Sequence, residues 1–306
     1  MAVPAPDERP LVGYYCDYYR AEVRQMVALT PNMIRIVFGG EDLRRFVTSG
    51  DPDERLVVVL PRAGERDAPV PVRQDDGTLD YPADDEPEMR SYTVRRVDVD
   101  TGEMVIDFVR HEGGAAASWA IEAREGDAVY LSPASGWYRP PIDATWQLLL
   151  ADMTALPALG RIVEELPAGL RVIAVAEIAE EADRQALSSP ADVTYTWLVG
   201  GNGHGPSRLL ETLKGTELPA GPGYVWFAGE AAESRAVRKH VRRELGWPTE
   251  RFTIIGYWRL EKERWMARYE EVGESLEKVY ESAVASGLSD GDALEIYEDA
   301  LEKAGL

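Results

Sequence analysis

A short basic strand in the first third of the chain carries side chains suited to bind phosphate and a flat aromatic ring. The segment 90-RSYTVRR-96 places three arginines around a serine, a tyrosine and a threonine. An arginine fork makes charge-assisted hydrogen bonds to phosphate oxygens, and a tyrosine ring stacks on planar aromatic groups. Candidate cofactor-binding residues are therefore Arg90, Ser91, Tyr92 and Thr93. A half-buried strand with solvated arginines has the same spacing, so this segment alone leaves both interpretations open.

A second candidate site lies where a strand runs through glycines into a helix, in 107-DFVRHEGGAAASWA-120. Helix N-termini present unpaired N–H groups, and small residues let a pyrophosphate approach the backbone. His111 is placed to hydrogen-bond the same phosphates. The turn therefore predicts a phosphate site, although a glycine turn with a structural histidine is an equally good interpretation.

Two strand-to-helix junctions in the second half are candidate nucleotide contacts. The segments 150-LADMTALPALG-160 and 227-FAGE-230 each end a predicted strand and open a predicted helix. In a parallel sheet such junctions face one crevice at the carboxyl ends of the strands. Neither contains GxGxxG, and the chain has no Walker loop or nucleophile elbow, so each can equally be a helix cap.

The composition fits a globular protein and excludes several functional classes. The chain has 306 residues, which suggests two domains, and its formal charge of −21 makes nucleic acid and anionic lipid poor partners. The single cysteine, Cys16, excludes an intramolecular disulfide, and three scattered histidines predict no metal site. No apolar run approaches the roughly 20 residues that span a bilayer, and no secretory signal pattern is present, so we expect a cytoplasmic protein.

Short strands separated by turn signals predict an antiparallel barrel in residues 21–140. We expect six strands, near residues 22–29, 33–40, 55–61, 90–97, 103–110 and 127–133. Residues 1–20 are predicted to form an N-terminal arm, and residues 64–88 a polar surface loop.

After Pro140-Pro141, apolar strands alternate with amphipathic helices. This pattern predicts a doubly wound parallel sheet over residues 141–259. Residues 260–306 are predicted to form a helical tail, in which Trp265 and Met266 lie at helical spacing and are interpreted as packing residues. The sequence specifies no oligomeric state.

In order and spacing, these segments resemble the siderophore-interacting protein family, the FAD-dependent ferric-siderophore reductases of the ferredoxin-reductase-like superfamily. The resemblance runs from about Val23 to Arg259. It rests on 28-ALTPNMIRIVFGGEDLRRF-46, Arg90-x-Tyr92-Thr93-Val94-Arg95, His111 with Gly114 and Ser118-Trp119, 154-TALPA-158, 228-AGE-230 and 256-GYWR-259. It implies an FAD-binding barrel followed by an NAD(P)H-binding α/β domain.

The resemblance also implies roles for individual residues. Arg90, Tyr92 and Thr93 match the flavin-contacting strand. The ribityl and phosphate region and the pyrophosphate turn are matched by Asp107, Phe108, Val109, His111, Gly114, Ala117, Ser118 and Trp119. The nucleotide-side loop and the reductant crevice are matched by Asp152, Thr154, Ala155, Ala228, Gly229 and Glu230. The basic patch for an anionic siderophore has as candidates Arg44, Arg45, Arg259 and Lys262.

One departure affects the reductant contacts. The family often has Gly-Asp-Glu before Thr-Ala-Leu-Pro-Ala, whereas this chain has Ala151-Asp152-Met153. The missing glutamate leaves the contacts to the reductant open.

The implied reaction passes a hydride from NADH or NADPH to FAD and then single electrons to Fe(III) in a bound siderophore, which releases Fe(II). No catalytic side chain and no resident metal are assigned. NADH is favoured because no basic cluster for a 2′-phosphate flanks 228-AGEAAESR-235, although Arg235 and Arg238 leave NADPH open. Ferredoxin is a less favoured donor because the chain is acidic. The alternatives are a flavin-dependent oxidoreductase with another acceptor, such as a quinone, free flavin or carrier protein, and a non-catalytic siderophore-binding protein.

Overall fold

The computed structural model describes residues 18–73, 79–82, 85–111, 114–202, 205–288 and 290–306. Most of the predicted N-terminal arm, with Cys16, lies outside the described residues. Glu112 and Gly113 of the predicted phosphate turn also lie outside them.

Residues 19–131 form an antiparallel seven-stranded sheet, a two-stranded hairpin and one helix. In chain order the elements are β1 (Tyr19–Thr30), β2 (Met33–Gly39), β3 (Arg55–Val59), β4 (Val72–Arg73), β5 (Leu79–Asp80), β6 (Met89–Thr93), β7 (Arg96–Asp98), β8 (Glu103–Val109), α1 (Ala115–Glu122) and β9 (Ala128–Leu131). The large sheet has the order β6-β3-β9-β1-β2-β8-β7, and its inward side chains, including Phe38, Ile106 and Phe108, form a buried core.

The predicted count of six strands is wrong because the expected strand 90–97 is interrupted. The Val94 amide donates to the Glu54 carbonyl, whereas the Arg95 amide donates to the Val105 carbonyl. The chain thus leaves its pairing with β3 and joins β8, which divides one predicted strand into β6 and β7. The predicted loop 64–88 also differs, because β4 and β5 pair within it.

Residues 146–258 form a five-stranded parallel sheet with the order β12-β11-β10-β13-β14. Its elements are β10 (Trp146–Ala151), α2 (Leu156–Glu165), β11 (Arg171–Ile178), β12 (Asp192–Val199), α3 (Leu209–Gly215), β13 (Gly223–Glu230), α4 (Ala231–Lys239) and β14 (Phe252–Trp258). α2 packs on one face, while α3 and α4 pack on the other. The predicted fold class, an antiparallel barrel followed by a doubly wound sheet, is confirmed. We keep 21–140 and 141–259 as proposed domain limits.

Buried polar contacts join the two sheets. The Arg161 guanidinium on α2 donates to Glu54 Oε1 at 2.9 Å and to the Val94 carbonyl at 2.8 Å. Asp183, after β11, accepts from the Thr30 hydroxyl at 2.7 Å. Because Glu54 and Asp183 are fully buried, these contacts hold the barrel in one position against the parallel sheet.

The tail forms two helices, α5 (Lys262–Ala285) and α6 (Asp290–Lys303). They share an apolar contact around Leu276 and Leu301. α6 also docks beside α4 and the helical turn that follows it, through three ion pairs: Arg238–Glu298, Lys239–Glu302 and Arg243–Asp299. Within the described ranges, neither these nor other helices have the length and apolar character needed to cross a membrane.

Candidate functional site

A cavity of about 540 Å³ opens between the barrel and the parallel sheet, and we call it the central cavity. It receives side chains from β3, β6, β8, the turn before α1, β14 and α5. The predicted site residues that line it are Arg90, Ser91, Tyr92, Thr93, Asp107, Val109, His111, Gly114, Thr154 and Arg259. The structure therefore brings together residues that the sequence separates by more than half of its length.

Strand β6 supplies one wall of the central cavity because it is the outer strand of its sheet. The Tyr92 ring packs against Phe108, with 4.2 Å between ring centroids. Burial raises the pKa of the Tyr92 phenol, so this group is neutral at physiological pH. The wall thus offers an aromatic surface and a hydroxyl.

The charged residues predicted around this strand are mostly engaged by other side chains. Arg90 pairs with Glu88, at 2.5 Å between Nη2 and Oε1, and Arg95 pairs with Glu164 of α2. The buried Asp107 carboxylate accepts hydrogen bonds from Nε and Nη2 of Arg35, each at 2.7 Å. Arg95 therefore joins the two halves, and Asp107 is held in the cavity wall by an ion pair.

Several buried polar atoms in the wall lack a hydrogen-bond partner among the described residues. Such atoms are the main evidence on whether a polar cofactor fits the central cavity. The hydroxyls of Thr93 and Tyr257 lie close enough to interact, yet neither has a hydrogen bond of standard geometry within the described part of the chain. Arg55 Nε is likewise buried without a partner. Buried polar atoms in native proteins nearly always have a partner. These three atoms thus fit the polar edge of a bound ring system such as FAD.

The turn before α1 lets other groups approach its backbone closely at Gly114. A Cβ added at Gly114 would lie 2.3 Å from His111 Cε1, so only glycine leaves room for the imidazole. The helix has no side-chain cap at Gly114, and Ala116 and Ala117 are buried. Uncapped N–H groups at a helix N-terminus suit a phosphate.

A second cavity, the α1 groove, has a volume of about 560 Å³ and includes Ser118 and Trp119. Its lining residue Ala115 follows Gly114, which lines the central cavity. An elongated dinucleotide can therefore extend from one cavity to the other around the start of α1. Phe108 and Ala117 lie in the barrel core and support this wall from behind.

A third cavity, the strand-end crevice, occupies about 460 Å³ at the carboxyl ends of β10, β11 and β13. Four of its lining residues are acidic: Asp152, Glu177, Glu230 and Glu233. Asp152 accepts from the Thr154 hydroxyl and from Trp258 Nε1, and burial raises the pKa of its carboxyl. Glu230 caps α4 by accepting from the amides of residues 232 and 233.

The remaining predicted residues have other positions. Ala155 and Ala228 are buried in the core of the parallel sheet, and a Cβ added at Gly229 would lie 3.0 Å from Asp152 Oδ2. Arg44 and Arg45 lie near the β7–β8 turn, at the opposite end of β8 from His111, so they do not reach the central cavity. We drop both from the proposed substrate patch. The Lys262 side chain lies outside the described residues.

Sequence reasoning missed seven residues of the central cavity: Arg55, Ala231, Gly256, Tyr257, Trp258, Trp265 and Met266. Three of them belong to 256-GYWR-259, a motif that contributed only its arginine to the predicted site. Arg55 has no local motif around it, and Trp265 was interpreted as a packing residue.

The comparisons with known proteins agree with this geometry. Residues 22–136 match the family described as siderophore-interacting FAD-binding domain, and residues 144–261 match the one described as siderophore-interacting protein. A solved siderophore utilization protein from T. fusca is 34% identical and superposes with a TM-score of 0.70, covering 80% of this chain and 94% of that one.

Two curated relatives carry names that state an activity. Ferric vibriobactin reductase ViuB of Vibrio cholerae is 28% identical over 235 residues, which is 76% of this chain and 85% of that protein. The NADPH-dependent ferric-chelate reductase of Escherichia coli is 28% identical over 227 residues, which is 73% of this chain and 86% of that protein.

Proposed function

Because the chain belongs to the siderophore-interacting protein family, we propose that it uses FAD to reduce the iron of ferric siderophores, with NADH as the electron donor. One observation carries this proposal. The strand with Tyr92 and Thr93, the turn with His111 and Gly114, and Tyr257, whose buried hydroxyl has no hydrogen bond of standard geometry among the described residues, all line one cavity.

The residues of the central cavity bind and orient the cofactor. A bound FAD supplies the means to take two electrons from a nicotinamide and to deliver them singly to iron. Tyr92 offers a stacking surface, and the Thr93 and Tyr257 hydroxyls offer hydrogen bonds to its polar edge. The start of α1 receives the diphosphate, and the α1 groove receives the rest of the dinucleotide.

The reaction balances without a protein acid or base. One NADH and two ferric chelates give NAD⁺, one proton and two ferrous ions, and the proton is released to water. Ferrous iron binds hard oxygen ligands more weakly than ferric iron does, so the metal leaves the siderophore. Since NADH is a cytoplasmic reductant, we propose that the protein acts there.

The preference for NADH rests on the charges around the strand-end crevice. Four acidic residues line it together with Arg235 and Arg259, and a 2′-phosphate placed near the acids, away from Arg259, would be repelled. The two arginines that left NADPH open are engaged by the tail: Arg235 donates to the carbonyl of residue 306, and Arg238 pairs with Glu298. The Escherichia coli relative is named for NADPH, so this chain is proposed to differ from it.

The acceptor side is proposed to include Arg259. This half-buried guanidinium lines both the central cavity and the strand-end crevice. No carboxylate of the described residues lies within ion-pair distance of it, so its charge is available to an anionic siderophore.

An anaerobic titration tests the proposal. Purified protein reconstituted with FAD should lose its flavin absorbance on adding NADH, and a ferric siderophore should restore it while a ferrous-iron chromophore forms. NADPH should act at least about tenfold less efficiently. Ferredoxin, quinone and free flavin serve as competing donors and acceptors. Protein that binds no FAD would instead favour a siderophore-binding role, and faster turnover with quinone would favour another oxidoreductase.

A further inference from the structure

The helical tail forms part of the site, although the family match ends at residue 261. Trp265 and Met266 lie in the first turn of α5 and line the central cavity. Trp265 also lines the strand-end crevice, so it stands where the two cavities adjoin. A segment outside the matched family region therefore contributes to the walls of both.

Within this wall, Trp265 contacts the cation proposed for the acceptor. Cζ of Arg259 lies 4.0 Å from the centroid of the Trp265 ring. Burial, together with the nearby charge of Arg235, lowers the pKa of Arg259, yet an arginine remains protonated at neutral pH. A cation over an indole face is attracted by the ring quadrupole, and the attraction grows as water is excluded.

The tail holds the indole in place from the other side. The Trp265 ring stacks on Tyr269, with 4.9 Å between centroids and 14° between planes. The Tyr269 hydroxyl lies 3.0 Å from that of Tyr297 on α6. Since α6 is itself ion-paired with α4, the position of Trp265 is fixed relative to the parallel sheet.

We infer that Trp265 is a positioning residue of the acceptor site. It holds the Arg259 guanidinium toward the shared wall of the two cavities, and thereby makes the site selective for anionic ferric chelates. This inference rests on the proposed function. It assigns the tail a role in substrate selection.

Equilibrium binding to the oxidised, FAD-loaded protein tests this inference without turnover. The probes are a trianionic hexadentate ferric tris-catecholate and a neutral ferric tris-hydroxamate, followed by the change in flavin fluorescence. Trp265→Leu should weaken binding of the tris-catecholate by about fivefold and leave the tris-hydroxamate unchanged. Trp265→Phe should recover most of the loss, because it restores an aromatic face. The affinity of Trp265→Leu should also depend less on salt.

A control on the same helix is Val284→Ala, which shortens an exposed apolar side chain outside both cavities and should leave both affinities unchanged. Equal losses for the two chelates, or a Trp265→Phe variant as weak as Trp265→Leu, would show that the residue only packs, and would overturn the inference.

Two further measurements complete the test. If Trp265→Leu loses its FAD or its fold, Arg259→Gln replaces it and should show the same selective loss, whereas Arg259→Gln with wild-type selectivity would overturn the inference. If the wild-type protein binds no FAD or reduces neither chelate, the proposed function fails first. If the wild-type protein binds FAD and reduces the chelates, and the variants keep its selectivity, only the role of Trp265 fails.

Discussion

The Arg55 guanidinium, on a barrel strand, lies 4.2 Å above the ring of Tyr257, on the last strand of the parallel sheet. The same guanidinium lies 4.8 Å from the ring of Trp137, in the segment between the two sheets. Arg55 and Tyr257 both line the central cavity. The width of the proposed flavin site therefore depends on a contact between the two halves of the molecule.

Replacing Arg55 by methionine should weaken FAD binding. The variant keeps the unbranched stem of the side chain but loses the guanidinium and its two cation–π contacts, each worth about 0.5–2 kcal/mol. We expect roughly tenfold weaker FAD binding in a fluorescence titration of the apoprotein. The control is Arg184→Met, which removes an exposed ion pair with Glu181 far from the cavity. An Arg55→Met protein with wild-type FAD affinity would contradict the role of this contact.

Replacing Gly114 by alanine should reduce both stability and FAD content. The new Cβ would collide with the His111 ring, and overpacking of this kind costs about 1–3 kcal/mol. The double variant His111→Ala/Gly114→Ala should regain stability without regaining FAD. Urea unfolding and the flavin-to-protein absorbance ratio measure the two effects. Gly215→Ala is the control, because its Cβ would meet open space. Full stability in the single variant would mean that the imidazole moves away freely.

Much of the fold could be predicted because its signals are local. Alternating strands, turn residues and amphipathic helices repeat over a few residues, and they placed both sheets and all the helices of the parallel half. The break between Thr93 and Arg96 could not be predicted in this way, because it depends on backbone partners at Glu54 and Val105. Such partners exist only after the barrel has closed.

The residues of the candidate site also differ in whether a local motif marks them. The strand with Tyr92 and the turn with Gly114 have local motifs, so sequence reasoning found them. Arg55 and Trp265 reach the cavity from opposite ends of the chain, and no local pattern reports a contact of that range. The arginines at 44 and 45 have the right charge, but the length of β8 separates them from the cavity.

Neutralising the α6 side of the tail contact should loosen the tail and weaken the preference for NADH. The variant combines Glu298→Gln, Asp299→Asn and Glu302→Gln, which removes the ion pairs that Arg238, Arg243 and Lys239 make with α6. The pairs of Lys239 and Arg243 are exposed and worth about 0–1 kcal/mol each, and although the Arg238–Glu298 pair is largely buried, it lies at the contact with the tail, so the two sheets should persist. We expect faster hydrogen exchange in residues 262–306 and a lower KM for NADPH. Glu274→Gln, which removes an exposed pair within α5, is the control. Unchanged exchange and nucleotide preference would contradict the charge argument.

Replacing Glu177 by glutamine should change stability in a pH-dependent way. The carboxylate is buried at the end of β11, Oε1 accepts from the Arg208 amide, and Oε2 lacks a partner within the described ranges. Burial raises the pKa of Glu177 above its ordinary value, and the neighbouring Asp152 and Glu233 charges raise it further. The folded wild-type protein therefore binds this proton more tightly than the unfolded chain does, and the stability from this group falls as pH rises through the folded-state pKa.

Glutamine carries no titrating proton, so the free energy of unfolding of Glu177→Gln relative to wild type should increase as the pH rises from about 4, the ordinary range of a glutamate, through the raised folded-state pKa. Urea unfolding of the FAD-loaded proteins at several pH values measures this difference. The exposed Glu217→Gln is the matched control and should show a difference that stays constant across the range. The opposite result would be a stability of Glu177→Gln, relative to wild type, that falls as the pH rises. It would mean that the folded protein favours the charged form of Glu177, which contradicts the burial of this carboxyl among the acids of the strand-end crevice.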